Sequence, residues 1–146
     1  MVVPVIKIQL LRGTMPRYQS EHAAGFDLMA ALDEPLILAP LSRTAVATGI
    51  AVEIPPGFEG QVRPRSGRAL DEGLTVLNSP GTLDADYRGE LKVILVNLGQ
   101  HSITINPDER IAQLIIAPVA RAQLVEVGEL GHTQRGSGGF GHTGKS

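Results

Sequence analysis

Leu91-Lys92-Val93-Ile94-Leu95-Val96-Asn97-Leu98 decides the fold class. The run is rich in valine, isoleucine and leucine, carries no helical period, and Gly89 and Gly99 bracket it, which are the marks of a strand. Working outward, Val5 to Leu11, Ala45 to Ile54 and Ile111 to Val119 repeat the pattern. Between the apolar runs stand turn sequences: Pro55-Pro56-Gly57, Asn78-Ser79-Pro80-Gly81 and Asn106-Pro107-Asp108. One brief helix is predicted around Arg68 to Glu72, after Ser66-Gly67, with Gly73 as its stop. The chain is therefore expected to be all-β. Val93-Ile94-Leu95-Val96 and Leu114-Ile115-Ile116-Ala117 are apolar at consecutive positions, so both faces should be buried, which in a small domain points to subunit contact.

A length of 146 residues allows one well-buried core and no second ordinary domain. Thirteen basic against 15 acidic residues leave a formal charge of −2, so no strong field draws the chain to nucleic acid or to an anionic membrane. The lack of cysteine removes disulfides and thiolate metal sites, and a cytoplasmic setting is the default expectation. Met1 to Arg12 is broken by Pro4, Lys7 and Gln9 and reads as a first strand rather than a leader or a membrane span. From Gly128 onward the composition turns to glycine, serine, threonine and histidine. The expected division is a β-barrel domain over 1–128 and a flexible glycine-rich arm over 129–146. Such composition commonly marks a disordered terminus, but Arg135 and Phe140 are residues that a plain linker rarely needs.

Three stretches carry polar residues where strands alone would not require them. Arg63-Pro64-Arg65-Ser66-Gly67-Arg68 sets three guanidiniums beside a serine and a glycine, a group suited to phosphate although an ordinary solvated loop looks the same. Asn78 to Glu90 joins a turn to Asp84, Asp86, Tyr87 and Arg88; the two aspartates either share a face of an extended chain or are split by a bulge. In the arm, the backbone N–H groups of the glycines form an anion nest, Arg135 and Thr143 add a cation and a hydroxyl, and Phe140 is placed to stack on a base. Asp27 and Gln113 are single polar residues inside apolar strands, facing either solvent or a site.

Other chemistries fit less well. Gly139 to Ser146 matches the phosphate-loop pattern G-x-x-x-x-G-K-[ST], but that loop needs a preceding strand and a following helix, and Ser146 has no helix after it. His22, His101, His132 and His142 lack metal-ligand spacing. Ser66 and Ser137 lack a nucleophile-elbow context, which sets serine hydrolysis aside.

In order, Ala24-Gly-Phe-Asp-Leu-Met-Ala30, Pro64-Arg-Ser-Gly-Arg68, Gly81-Thr-Leu-Asp-Ala-Asp-Tyr-Arg-Gly-Glu90, Glu109-Arg-Ile-Ala-Gln-Leu114 and Arg135-Gly-Ser-Gly-Gly-Phe-Gly-His-Thr-Gly144 resemble the five motifs of the trimeric dUTPases. The resemblance spans nearly the whole chain. It implies a distorted jelly-roll subunit, a homotrimer with shared active sites, and Mg2+-dependent hydrolysis of dUTP to dUMP and pyrophosphate, which limits uracil in DNA and supplies dUMP for thymidylate synthesis. It also implies the roles. Asn78 and the backbone from Gly81 to Leu83 would read uracil, Tyr87 would exclude a ribose hydroxyl, and Asp84 would activate the attacking water. Arg65, Ser66, Gly67 and Gln113 would hold the α- and β-phosphates, and Arg135 with Thr143 the γ-phosphate. Phe140, beside Gly141, would cover the base from the arm. Asp27 would hold a water of the phosphate-bound Mg2+, with no direct protein ligand.

Arg68, where many relatives carry an apolar residue, receives no role, and His142 stands where many carry serine. Two other readings compete: a dCTP deaminase, which shares the fold but has a glutamate where this chain has Ile94, and a non-catalytic nucleotide-binding trimer.

Overall fold

The computed structural model describes residues 2–146; the Met1 end of the expected first strand lies outside them. Ten strands and one helix follow in order: β1 Lys7–Leu10, β2 Phe26–Met29, β3 Leu36–Leu38, β4 Arg43–Glu53, β5 Phe58–Arg63, α1 Ser66–Glu72, β6 Leu74–Val76, β7 Gly81–Leu83, β8 Glu90–Asn97, β9 Ile103–Ile105 and β10 Arg110–Pro118. The all-β expectation holds, and no helix is long and apolar enough to cross a membrane among the described residues. The first strand is shorter than expected: Val5 is 75% exposed, and only Lys7–Leu10 pairs with β4.

Two antiparallel four-stranded sheets, ordered β1-β4-β8-β6 and β2-β10-β5-β7, enclose one core, with β3 and β9 forming a separate pair. Val46, Leu95 and Val93 from the first sheet cluster with Leu28, Leu114 and Val62 from the second. The consecutive apolar positions behave unequally. Val93 and Leu95 are fully buried while Ile94 is half-buried, and beyond buried Leu114 the residues Ile115, Ile116 and Ala117 stay partly open. Val96 is buried as well, so the second face expected to be covered is only partly covered in one chain.

Local punctuation explains the connections. Gly57, at a left-handed φ of 89°, turns β4 into β5. Gly73 caps α1 with φ 76°, its N–H donating to the Ala69 and Arg68 carbonyls, and a Cβ there would lie 2.9 Å from the Gly99 Cα. The helix begins two residues earlier than expected, at Ser66. A break in the β4–β8 register between Ala47 and Ala51 has its own hydrogen bonds: the Thr48 hydroxyl donates to the Leu91 carbonyl at 2.6 Å, and the Gly49 N–H donates to the Glu90 carboxylate at 3.1 Å. These bonds fix where β8 begins, and with it the hairpin that precedes β8.

Asn97, fully buried, is the polar centre of the β8 end. Its amide donates to the carbonyls of Leu38 (2.9 Å) and His101 (2.8 Å), and its oxygen accepts the Gly99 N–H at 2.9 Å. Asn97→Ala removes the partner of three backbone groups, of which the Leu38 carbonyl is buried, and one unsatisfied buried group costs about 1–3 kcal/mol. Denaturant titration should show a loss of at least about 2 kcal/mol, and wild-type stability would contradict this role.

Candidate active site

The predicted site residues fall into two clefts and a tail. Asn78, Gly81, Leu83, Asp84 and Tyr87 line the first cleft, of about 380 Å³, together with Ile94 and Glu90. The turn places them. β7 pairs with β5 so that Gly81 faces Val62 and Leu83 faces Gly60. The Asn78 amide folds over Gly81, where a Cβ would lie 3.4 Å from its nitrogen. Leu83 is buried in the core, so only its backbone is available to a ligand.

Asp84 stands just past β7, exposed, in a turn closed by the Tyr87 N–H donating to the Asp84 carbonyl at 3.2 Å. Strand alternation therefore does not apply to the two aspartates. Asp84 borders both this cleft and a second hollow beside the Pro56-Gly57 turn, whereas Asp86 lines only the latter.

Asp27, Arg65, Ser66, Gly67, Arg68 and Gln113 line the other cleft, of about 580 Å³. Gln113 sits opposite Asp27 in the β2–β10 ladder and donates to the Pro64 carbonyl at 3.1 Å, which anchors the arginine loop to β10. Arg65 reaches Asp27 at 3.5 Å, and Arg110 reaches the other Asp27 oxygen at 3.3 Å. The two clefts share no lining residue.

Arg68 now has a place. It makes a two-bond pair with Glu72 at 2.6 and 3.2 Å and a single bond to Glu109 at 3.0 Å, tying α1 to the start of β10. The Glu72 hydrogen bond, acting against partial burial and aided by both carboxylates' charges, raises the Arg68 pKa above its ordinary value. Only the Glu72 partner, at i,i+4, was visible in the local sequence; Glu109 lies 41 positions away. Another unforeseen tie is Arg12 to Glu90 at 2.7 Å, on the carboxylate that also accepts the Gly49 N–H.

The arm is apart from both clefts. After Pro118 no described residue belongs to a strand or helix. Arg135 donates to the Gly138 carbonyl at 2.7 Å, and the His142 imidazole lies against Gly138, where a Cβ would come within 2.6 Å of the ring. Phe140 is wholly exposed, and Gly141 and Thr143 are exposed. One chain therefore does not bring Arg135, Phe140, Gly141 or Thr143 to the other site residues.

Among the described residues no three acidic, histidine or cysteine side chains gather to hold a metal directly. Asp27 borders the cleft that bears Arg65 and Arg68, with its carboxylate oxygens facing Arg65 and Arg110, an acceptor suited to a metal-bound water.

A cleft bearing Arg65 and Arg68 and a separate cleft bearing Asp84 and Tyr87, on one β frame, define a class: an all-β protein with two separate polar clefts. The family model described as dUTPase matches residues 12–144, and the chain belongs to the dUTPase family. It is 53% identical over 146 residues to the deoxyuridine 5'-triphosphate nucleotidohydrolase of Bdellovibrio bacteriovorus, covering all of this chain and 98% of that one. It is 57% identical over 132 residues to that of Rhizobium johnstonii, covering 89% and 85%. Among solved structures, the dUTPase of Staphylococcus bacteriophage 80alpha with dUPNHPP superposes with a TM-score of 0.84 at 29% identity, over 97% of this chain and 99% of that one. A mutant dUTPase from phage phi11 of S. aureus, described as revealing the coordination of a structural Mg(II) ion, gives 0.78 at 25% identity over 86% and 97%.

The Arg68 tie predicts a pH response. Partial burial disfavours the Glu109 carboxylate, but bonds from the Asn106 side chain and backbone, with the Arg68 charge, hold its pKa below the ordinary value. The stabilisation is complete above the unfolded carboxylate pKa and is lost as pH falls through the lower folded one. Melting curves from neutral to acidic pH should fall less steeply on the acid side for Glu109→Gln than for wild type. An unchanged slope would contradict the tie.

Proposed function

We propose that this protein hydrolyses dUTP to dUMP and pyrophosphate as a Mg2+-dependent homotrimer of distorted jelly-roll subunits, in the cytoplasm. The observation that carries this reading is the separation of an Asp84- and Tyr87-bearing cleft from an arginine-lined cleft, in a chain of the dUTPase family. Half-sites of this kind acquire a use when neighbouring subunits complete them. The strand register supports the same view. Gly60 faces Leu83, and Arg65 lies five residues further along, roughly 17 Å at about 3.3 Å per residue.

In the assembled site, the hairpin of one subunit holds the nucleoside. The Asn78 amide and the backbone of Gly81 and Leu83 offer donors and acceptors to the uracil edge, and Tyr87 lies under the sugar. Asp84 takes a proton from a water placed in line with the α-phosphorus, the task of a positioned general base. From a neighbour, Arg65, Ser66, Gly67 and Gln113 hold α- and β-phosphate oxygens and stabilise the charge that grows on the leaving pyrophosphate. The arm of residues 129–146 closes the site, with Arg135 and Thr143 on the γ-phosphate and Phe140, beside Gly141, over the base. Asp27 would hold a water of the phosphate-bound Mg2+, whose charge would offset part of that of the triphosphate.

Deamination of dCTP, in the relatives that perform it, uses a carboxylate where this chain places Ile94 on the cleft wall. Incubation with dCTP should release no ammonia, and its release would overturn the assignment. Pyrophosphate formed from dUTP separates hydrolysis from a silent nucleotide-binding trimer.

Asp84→Asn should lower turnover about 10²–10⁴-fold while affinity for a non-hydrolysable dUTP analogue stays near wild type; undiminished turnover would remove Asp84 from the mechanism. A chain ending before Arg135 should fold and assemble but hydrolyse dUTP poorly, checked by size-exclusion chromatography and pyrophosphate release. Full activity in that chain would reject the arm's role.

A further inference from the structure

The Tyr87 side chain curls back over its own turn. Its hydroxyl donates to the Glu90 carbonyl at 3.0 Å, and to reach it the ring passes over Gly89. A Cβ at position 89 would lie 2.6 Å from the tyrosine Cζ and 3.1 Å from Cε2, and closer still to the hydroxyl oxygen. Carbon atoms do not approach that closely, so ring and methyl cannot share the space. Gly89 is not among the glycines with a left-handed φ, so an alanine there meets no backbone penalty and acts through the ring alone. The acceptor cannot follow the ring: Glu90 is the first residue of β8, and its carboxylate is held by Arg12 at 2.7 Å and by the Gly49 N–H at 3.1 Å.

We infer that Gly89 is a positioning residue for substrate selection, its missing side chain setting the depth at which Tyr87 lies in the nucleoside cleft. This rests on the reading that Tyr87 excludes the ribose hydroxyl. Displacing the ring from the Glu90 carbonyl moves the surface that the sugar meets. Sub-ångström to ångström changes of this kind separate substrates differing by one hydroxyl.

The test compares wild type, Gly89→Ala, Tyr87→Ala and the double variant, reading kcat and KM for dUTP and for UTP on the Mg2+-loaded enzyme. Gly89→Ala should reduce the dUTP-over-UTP preference in kcat/KM by roughly 10–100-fold, with KM for dUTP rising more than kcat falls. In the Tyr87→Ala background the same change should add nothing, because the ring it displaces is gone. A further loss there, or an unchanged preference in Gly89→Ala while Tyr87→Ala admits UTP, overturns the inference and leaves the reading of Tyr87 standing. Continued exclusion of UTP by Tyr87→Ala overturns both. If Gly89→Ala does not fold, a folded double variant supports the steric assignment, and a double variant that also fails to fold refutes it.

Discussion

The ladder between β5 and β7 is the constraint on which the site depends. Val62 faces Gly81 and Gly60 faces Leu83, so the strands run in opposite senses away from that pairing. β5 climbs toward the arginine loop and α1, while β7 descends into the Asp84 turn. Side chains that the proposed function assigns to one triphosphate therefore leave the ladder at its two ends. Gly60 is part of the reason the ladder closes: a Cβ there would lie 3.0 Å from that of Leu83 and 3.1 Å from the methyls of Ile54 and Leu114. The fold thus keeps the two clefts apart, and under the proposed function each is a half-site that another copy completes.

The surface carries the same message. Leu124, Val125, Leu130 and Phe140 are 92, 67, 81 and 114% exposed, and the segment that holds them has no strand or helix of its own. Apolar groups in this number on an extended tail gain by burial against another surface. Arg135 is bonded within the arm, to the Gly138 carbonyl, and the proposed function has it exchange that bond for the γ-phosphate.

The strands were legible because their signals are local. Runs of branched residues end at Pro55-Pro56-Gly57 and Asn106-Pro107-Asp108, and Gly73 stops the helix where only glycine fits readily. The candidate site residues were legible through motif resemblance rather than through any single residue; Asp84 in isolation is an acid in a turn. Long-range and steric facts were not legible. The Arg68 contact with Glu109 and the Glu90 contact with Gly49 join positions 41 apart. The Gly89 gap exists only because a neighbouring ring bends over it. The aspartate pair was read as sharing one face of an extended chain or split by a bulge, and the Tyr87-to-Asp84 turn takes both residues out of the strand.

Subunit complementation tests the central claim most directly. Under the proposed function, homotrimers of Asp84→Asn would lack the water-activating carboxylate at every site, and homotrimers of Arg65→Ala would lack the phosphate-holding guanidinium at every site. If hairpin and arginine loop meet across an interface, mixed trimers contain sites with both groups intact. Unfolding and refolding the two variants together should then yield dUTP hydrolysis well above that of either alone. A mixture no more active than its parents, with mixed trimers present, would mean that Asp84 and Arg65 serve one site within one chain, contrary to this account.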